Sequence, residues 1–250
     1  MKFLKLLKKN NIYIIQKTKK FEHFSFNSTS NLKKILNFSL DMTFNNIGEH
    51  RVHRSGGSYL RKNGEIFSDV FQGKLAEFAF YDLLSKKYSS INEPNLERYK
   101  KGIWDTGDFI INQKHISIKS AKYFSNLLLL ETKDWDKEGN YLPNLGEKKI
   151  NAFIFVRIKP DISSVLKNMK LYYSNGINQT QEDNLKNEIL RLNWYYDIPG
   201  YLNLSDIILA IESCNIIKKG DFLNSYKTKI DADNYYFHTC DMRDIKKINF

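Results

Sequence analysis

The segment Leu75-Ala-Glu-Phe-Ala-Phe-Tyr-Asp-Leu-Leu84 is apolar on nearly every side of a helix, and a helix without a polar face must be covered all round by other elements. Ser68 reads as its N-cap, with Asp69 in the first turn and Lys86 and Lys87 in the last, so the sequence predicts a buried helix from Ser68 to about Lys87. The cover has a candidate in Ala152-Phe-Ile-Phe-Val-Arg-Ile158, whose β-branched and aromatic content suits the centre of a sheet and which Pro160 ends. Gly107 to Ile111 and His115 to Ser120 read as a hairpin, Glu182 to Tyr195 as a helix, Pro199-Gly200 as a turn, and Tyr235 to Thr239 as a last strand. Ser205 reads as the cap of a further helix through Ser213 or beyond. The order predicts an α/β (α+β) fold, a mixed central β-sheet flanked by helices.

No repeat and no Pro, Gly or Ser-rich linker divides the 250 residues, and no apolar run approaches the roughly 18 residues that span a bilayer. Two cysteines, Cys214 and Cys240, give neither a disulfide framework nor a zinc pattern; they read as small core residues in a cytoplasmic chain. The net charge of +11 suggests a polyanionic partner. Its distribution narrows that inference, because residues 1–41 carry nine lysines against Glu22 and Asp41 and the remainder carries only 30 basic and 26 acidic groups. Residues 1–41 therefore read as a loosely attached basic arm, with Met42 an alternative start, and 42–250 as a single domain.

The informative stretch is Trp104-Asp-Thr-Gly-Asp-Phe-Ile-Ile-Asn-Gln-Lys-His-Ile-Ser-Ile-Lys-Ser120. A two-residue loop at Gln113-Lys114 sets Asp108 opposite Lys119; a loop at Asn112-Gln113 sets it opposite Ser117. In both registers Asp108, Ser117 and Lys119 share one face and Phe109, Ile111, Ile116 and Ile118 the other, whereas a three-residue loop with a bulge would break the parity. A carboxylate beside a lysine at a sheet surface can hold a hard cation such as Mg²⁺ and position a water next to it. The same two residues also describe an ordinary cross-strand pair worth about 0.2–1 kcal/mol. Glu77, inside the apolar helix, needs a compensating partner, either a metal or lysine at a site or the local Lys74 or Tyr81.

A helix carrying Gln72-Gly-Lys-Leu-Ala-Glu77, then Gly107-Asp108, then Ile116-Ser-Ile-Lys119 resembles the PD-(D/E)XK nuclease core, in particular type II restriction endonucleases. The resemblance spans about residues 55–160, with weaker echoes at Pro199-Gly-Tyr201 and Asp231-Ala-Asp-Asn-Tyr-Tyr236. It implies catalytic roles for Asp108, Lys119, Glu77 and Ser117, and metal ligation by Asp108, the carbonyl of Ile118, Glu77 and Glu131. Gly107 stands where the family often has proline, and Ser117 where an acidic residue usually sits; Glu131, twelve positions after Lys119, is the natural replacement. Its other reading is a solvated residue beside Lys133.

The resemblance further implies a Mg²⁺-dependent endonuclease cutting double-stranded DNA at a short sequence, with a catalytic core over about 68–160 and a recognition or structural part over 161–250. A homodimer matches a two-fold symmetric site, and a cognate DNA methyltransferase would accompany such an enzyme. Arg51, Arg54, Arg61 and Lys62, beside Gly56-Gly57, are the candidates for phosphate contacts. A repair or recombination nuclease of the same core, and a catalytically silent DNA-binding protein, are the alternatives. Trp194-Tyr-Tyr196 and Tyr235-Tyr236 read as core aromatics. No nucleophile elbow, phosphate-binding loop or zinc helix offers another hydrolase.

Overall fold

In a computed structural model, residues 3–45, 47, 59–87, 91–97, 108–142, 149–225 and 228–249 are described. The N-terminal part forms β1 (Leu7–Lys9), β2 (Ile12–Ile14), β3 (Phe24–Ser25) and α1 (Thr29–Thr43). Then come α2 (Asn63–Ser85), β4 (Phe109–Ile111), β5 (Lys114–Lys122), β6 (Leu127–Glu131) and β7 (Ala152–Lys159). Next are α3 (Ile162–Asn168), α4 (Gln179–Arg191), β8 (Tyr195–Asn203) and α5 (Leu204–Glu212). The chain finishes with β9 (Ile216–Ile217), β10 (Phe222–Leu223), β11 (Thr228–Lys229) and β12 (Asn234–His238).

A five-stranded mixed sheet in the order β3-β8-β7-β5-β4 is the centre, with β5 and β7 parallel and the other pairs antiparallel. One face carries Phe109, Ile116, Ile154, Val156 and Ile158 and is covered by α1, α2, α3 and α4. The other carries Phe153, Phe155 and Leu202 and is covered by α5 and the three-stranded sheet β6-β12-β9. A third layer, the sheet β1-β2-β10-β11, closes over Leu127, Ile217 and Tyr236. The fold is thus the expected mixed sheet flanked by helices, and no helix among the described residues is long and apolar enough to cross a membrane.

Several local expectations are corrected. Helix α2 starts five residues early, because Glu65 caps it: its Oε2 accepts from the Lys62 backbone N–H at 2.9 Å, and Ser68 lies buried inside. Pro199 and Gly200 stand within β8 rather than in a turn. Gly200 is needed there, since a Cβ would lie 2.6 Å from the Arg243 carbonyl oxygen. Asn203, not Ser205, caps α5, its side chain accepting from Asp206 N at 3.0 Å. Helix α4 stops at Arg191, and Trp194, Tyr196, Tyr235 and Tyr236 are core. Cys214 and Cys240 are exposed; Cys214 has a left-handed φ of 50° just past α5 and Cys240 lies in a tight 3-10 turn.

The largest revision concerns the expected arm 1–41, whose described residues, 3–41, are packed into the fold. Leu32, Ile35, Leu36 and Leu40 recur at helical spacing along α1 and bury against α2, while Phe3, Leu6 and Tyr13 enter the other two cores. The lysines of this segment lie between those positions and masked the periodicity. A chain beginning at Met42 loses all but the last two residues of α1, so it is expected to lack the fixed near-ultraviolet circular dichroism of the full chain; an unchanged spectrum would refute this packing.

Arg157, on the β7 strand, is fully buried. Its Nε and Nη2 donate to Asp197 at 2.9 and 2.5 Å, and its remaining donors reach the carbonyls of Lys19, Lys20 and Ser125. Removing one partner of such a pair leaves an uncompensated buried charge. Arg157→Ala is expected to cost about 3–5 kcal/mol, read from urea denaturation midpoints.

Candidate active site on the β4–β5 hairpin

The hairpin's register is decided by its turn. Phe109 pairs with Ile116 and Ile111 with Lys114, so the loop is Asn112-Gln113, both residues having positive φ (46° and 64°) as a type I′ turn requires. Of the two registers open in the sequence, the structure takes the one that, continued by a step, sets Asp108 opposite Ser117. The strands are Phe109–Ile111 and Lys114–Lys122, the second longer than expected.

Asp108 is oriented by the backbone: its Oδ2 accepts from the Ile118 N–H at 2.5 Å. Ile118, whose carbonyl is the expected ligand, is therefore the residue that holds the carboxylate through its other backbone group. Lys119 neighbours Phe155 across the parallel β5–β7 ladder and its Nζ stands 5.9 Å from the Phe153 ring centroid. It thus projects from the face covered by α5 and β6. Burial pushes its ammonium below a lysine's ordinary value, and the carboxylates of Asp108 and Asp134 oppose that shift. Ser117, on the same face, is buried.

Asp134 was not expected from the sequence. It sits in the 3-10 turn Thr132–Asp134 that ends β6, and the next residue, Trp135, packs edge-on against Phe153 at 5.4 Å between centroids. That contact brings the turn back over the ring beside Lys119. Glu131, three residues earlier, has a carboxyl raised by burial and by Asp134, with Lys133 opposing. Its Oε2 is buried, makes no hydrogen bond, and has Lys133 Nζ at 3.6 Å. Neither Asp108 nor Lys119 is among the charges that shift Glu131. The one signal for Asp134 in the sequence is an acid placed directly before a tryptophan after an apolar strand.

Glu77 is placed otherwise. Helix α2 covers the opposite face of the sheet, as the Gln72 to Ser120 hydrogen bond at 3.3 Å records, and Glu77 Oε2 is met by Lys74 Nζ at 2.7 Å. The local ion pair weighed for Glu77 is present, and the structure does not bring Glu77 together with Asp108. Arg61 is engaged by Asp69 at 2.7 Å, and Lys62 is exposed at the start of α2. Arg51 and Arg54 lie outside the described residues.

Among the described residues no three His, Cys, Asp or Glu side chains form a group able to hold a metal ion. Mg²⁺, however, is commonly held by one or two carboxylates, its waters and a substrate phosphate. Asp108 and Asp134 within electrostatic reach of Lys119, with Glu131 near Asp134, fit that sparser mode. The chain has no match among protein-family models, curated proteins or solved structures.

An ammonium held below its ordinary 10.5 in the folded chain destabilises the fold while charged, and that penalty fades as pH rises from the folded value towards 10.5. Wild-type stability should therefore gain over this window a contribution that Lys119→Met lacks. Urea denaturation of both proteins at about pH 7 and above checks it; a stability difference that does not change with pH would show that Lys119 titrates as an exposed lysine does.

Proposed function

We propose that this chain is a Mg²⁺-dependent endonuclease of the PD-(D/E)XK kind, hydrolysing phosphodiester bonds of double-stranded DNA at a short sequence in the manner of a type II restriction enzyme. The observation that carries the proposal is a half-buried lysine on the second strand of a hairpin, within electrostatic reach of Asp108, just before the first strand, and of Asp134 in the turn after β6. Asp108, its orientation set by the Ile118 N–H, would hold the ion with the Ile118 carbonyl and Asp134. When bound, Mg²⁺ offsets phosphate charge and makes a bound water more acidic.

In this proposal Lys119 handles the proton. Its Nζ, in a low-dielectric setting that favours the neutral amine, accepts a proton from the attacking water or, once charged, stabilises the developing phosphate charge. Glu131, raised by burial and by Asp134, would be drawn towards its ionised form by a cation held there and add its charge to that of Asp134. Ser117 contributes a hydroxyl on the same face. Lys62 is the described candidate for a phosphate contact. A homodimer acting on a two-fold site, a cognate methyltransferase and a cytoplasmic setting belong to the same proposal.

A silent DNA-binding protein is the second reading, favoured by Ser117 in place of an acid and by the absence of a three-acid group among the described residues. Incubation of mixed duplex DNA with the protein separates the two. Discrete fragments are expected with Mg²⁺ and not with EDTA, reduced by about 10²–10⁴-fold in Asp108→Asn and Lys119→Ala, and by a smaller factor in Asp134→Asn. Fragments without common ends would instead indicate a structure-directed repair nuclease. Metal-independent binding with no cleavage would refute the proposal.

A further inference from the structure

Between the C-terminal half of α2, the β3–β8 edge of the central sheet and the chain at Asp244–Ile248 lies an open cavity of about 710 Å³, within the roughly 300–1,000 Å³ typical of small-molecule sites. Phe80 and Leu83 of α2, Phe24 and Tyr196 of the sheet edge, and Ile245 and Ile248 make its walls apolar. Phe24 and Leu83 are 49% and 39% exposed, so two large apolar side chains lie uncovered in one hollow.

The charged part of the lining is basic on balance. Lys19, Lys86, Lys87 and Lys246 line the cavity against Glu22 and Asp244. Asp244 is already engaged, its carboxylate accepting from the Lys246 backbone N–H at 3.0 Å. Lys19 is anchored, its Nζ donating to the Pro199 carbonyl at 2.6 Å, which holds one ammonium in the cavity lining. Apolar walls with a surplus of ammonium groups match a molecule that is apolar over most of its length and negative at one end.

We infer that this cavity binds an amphipathic organic anion, an apolar body with one carboxylate or phosphate head. The inference does not rest on the nuclease reading, because the cavity is walled by α2 on the sheet face opposite Asp108 and Lys119. Titration calorimetry of the full chain with laurate, dodecyl phosphate, dodecanol and dodecyltrimethylammonium, all below micelle formation, tests it. At least one anion should bind saturably at one site, at least tenfold more tightly than dodecanol, and the cation should not bind; the preferred anion identifies the head group. Leu83→Glu should abolish binding with an unchanged melting temperature, and Lys86→Glu with Lys246→Glu should weaken the anion at least fivefold while leaving dodecanol unaffected. Absence of saturable binding by both anions, equal binding of dodecanol, or binding indifferent to Leu83→Glu would overturn the inference. So would a dimer that Leu83→Glu dissociates, since the hollow would then be a contact between copies.

Discussion

Arg157 carries a full charge in a place from which water is excluded, and the surrounding chain is arranged to make that tolerable. Each of its five N–H donors has an acceptor: two on Asp197 across the β7–β8 ladder, two on the carbonyls of Lys19 and Lys20, and one on Ser125 in the turn between β5 and β6. Asp197 also accepts from the Glu22 N–H at 3.0 Å, so the N-terminal segment is fastened twice. A buried guanidinium satisfied in this way contributes little net stability compared with an apolar replacement, but it tolerates very few chain arrangements. The path of residues 19–22, the β7–β8 register and the position of the turn leading into β6 all follow from it.

That last dependence reaches the candidate site. The turn at Ser125 directs β6 across the face from which Lys119 projects, and β6 ends in the turn that carries Asp134 to it. Two carboxylates and a lysine from three segments are therefore brought together by a strand crossing over a sheet, with Trp135 seated on Phe153 as the final alignment. The opposite face holds α2 and, with it, Glu77 already paired to Lys74.

The parts of the fold that were legible in the sequence are those in which one residue pattern dominates its surroundings. The apolar run at Leu75–Leu84 and the strand at Ala152–Ile158 leave little choice, and alternation puts Asp108 and Lys119 on one face in either two-residue register of the hairpin. Legibility failed where the deciding partner is distant. Pro199-Gly200 reads as a turn unless the close approach of Arg243 is known, and Glu65 hides as a cap because the donor it accepts from is the backbone N–H of a lysine. In α1 the lysines between Leu32, Ile35 and Leu36 give the segment the composition of a tail while its spacing is that of a core helix. Asp134 depends on a packing contact between two aromatic rings, which no local pattern encodes.

The third layer joins segments about 210 residues apart. Strand β2 lies parallel to β10, with Tyr13 beside Leu223, the Leu4 N–H donates to Asp241 at 2.8 Å, and the Leu6 N–H reaches the Tyr236 hydroxyl. During synthesis, β1 and β2 must therefore wait for a segment about 210 residues later before their sheet is complete. Such far-separated pairings close slowly, and until then Leu6, Tyr13 and the outer side of β6 remain without cover. A ribosome-bound chain would carry this apolar surface uncovered through the roughly 210 residues of elongation that separate β2 from β10, which ties completion of the third layer to the arrival of β9 to β12.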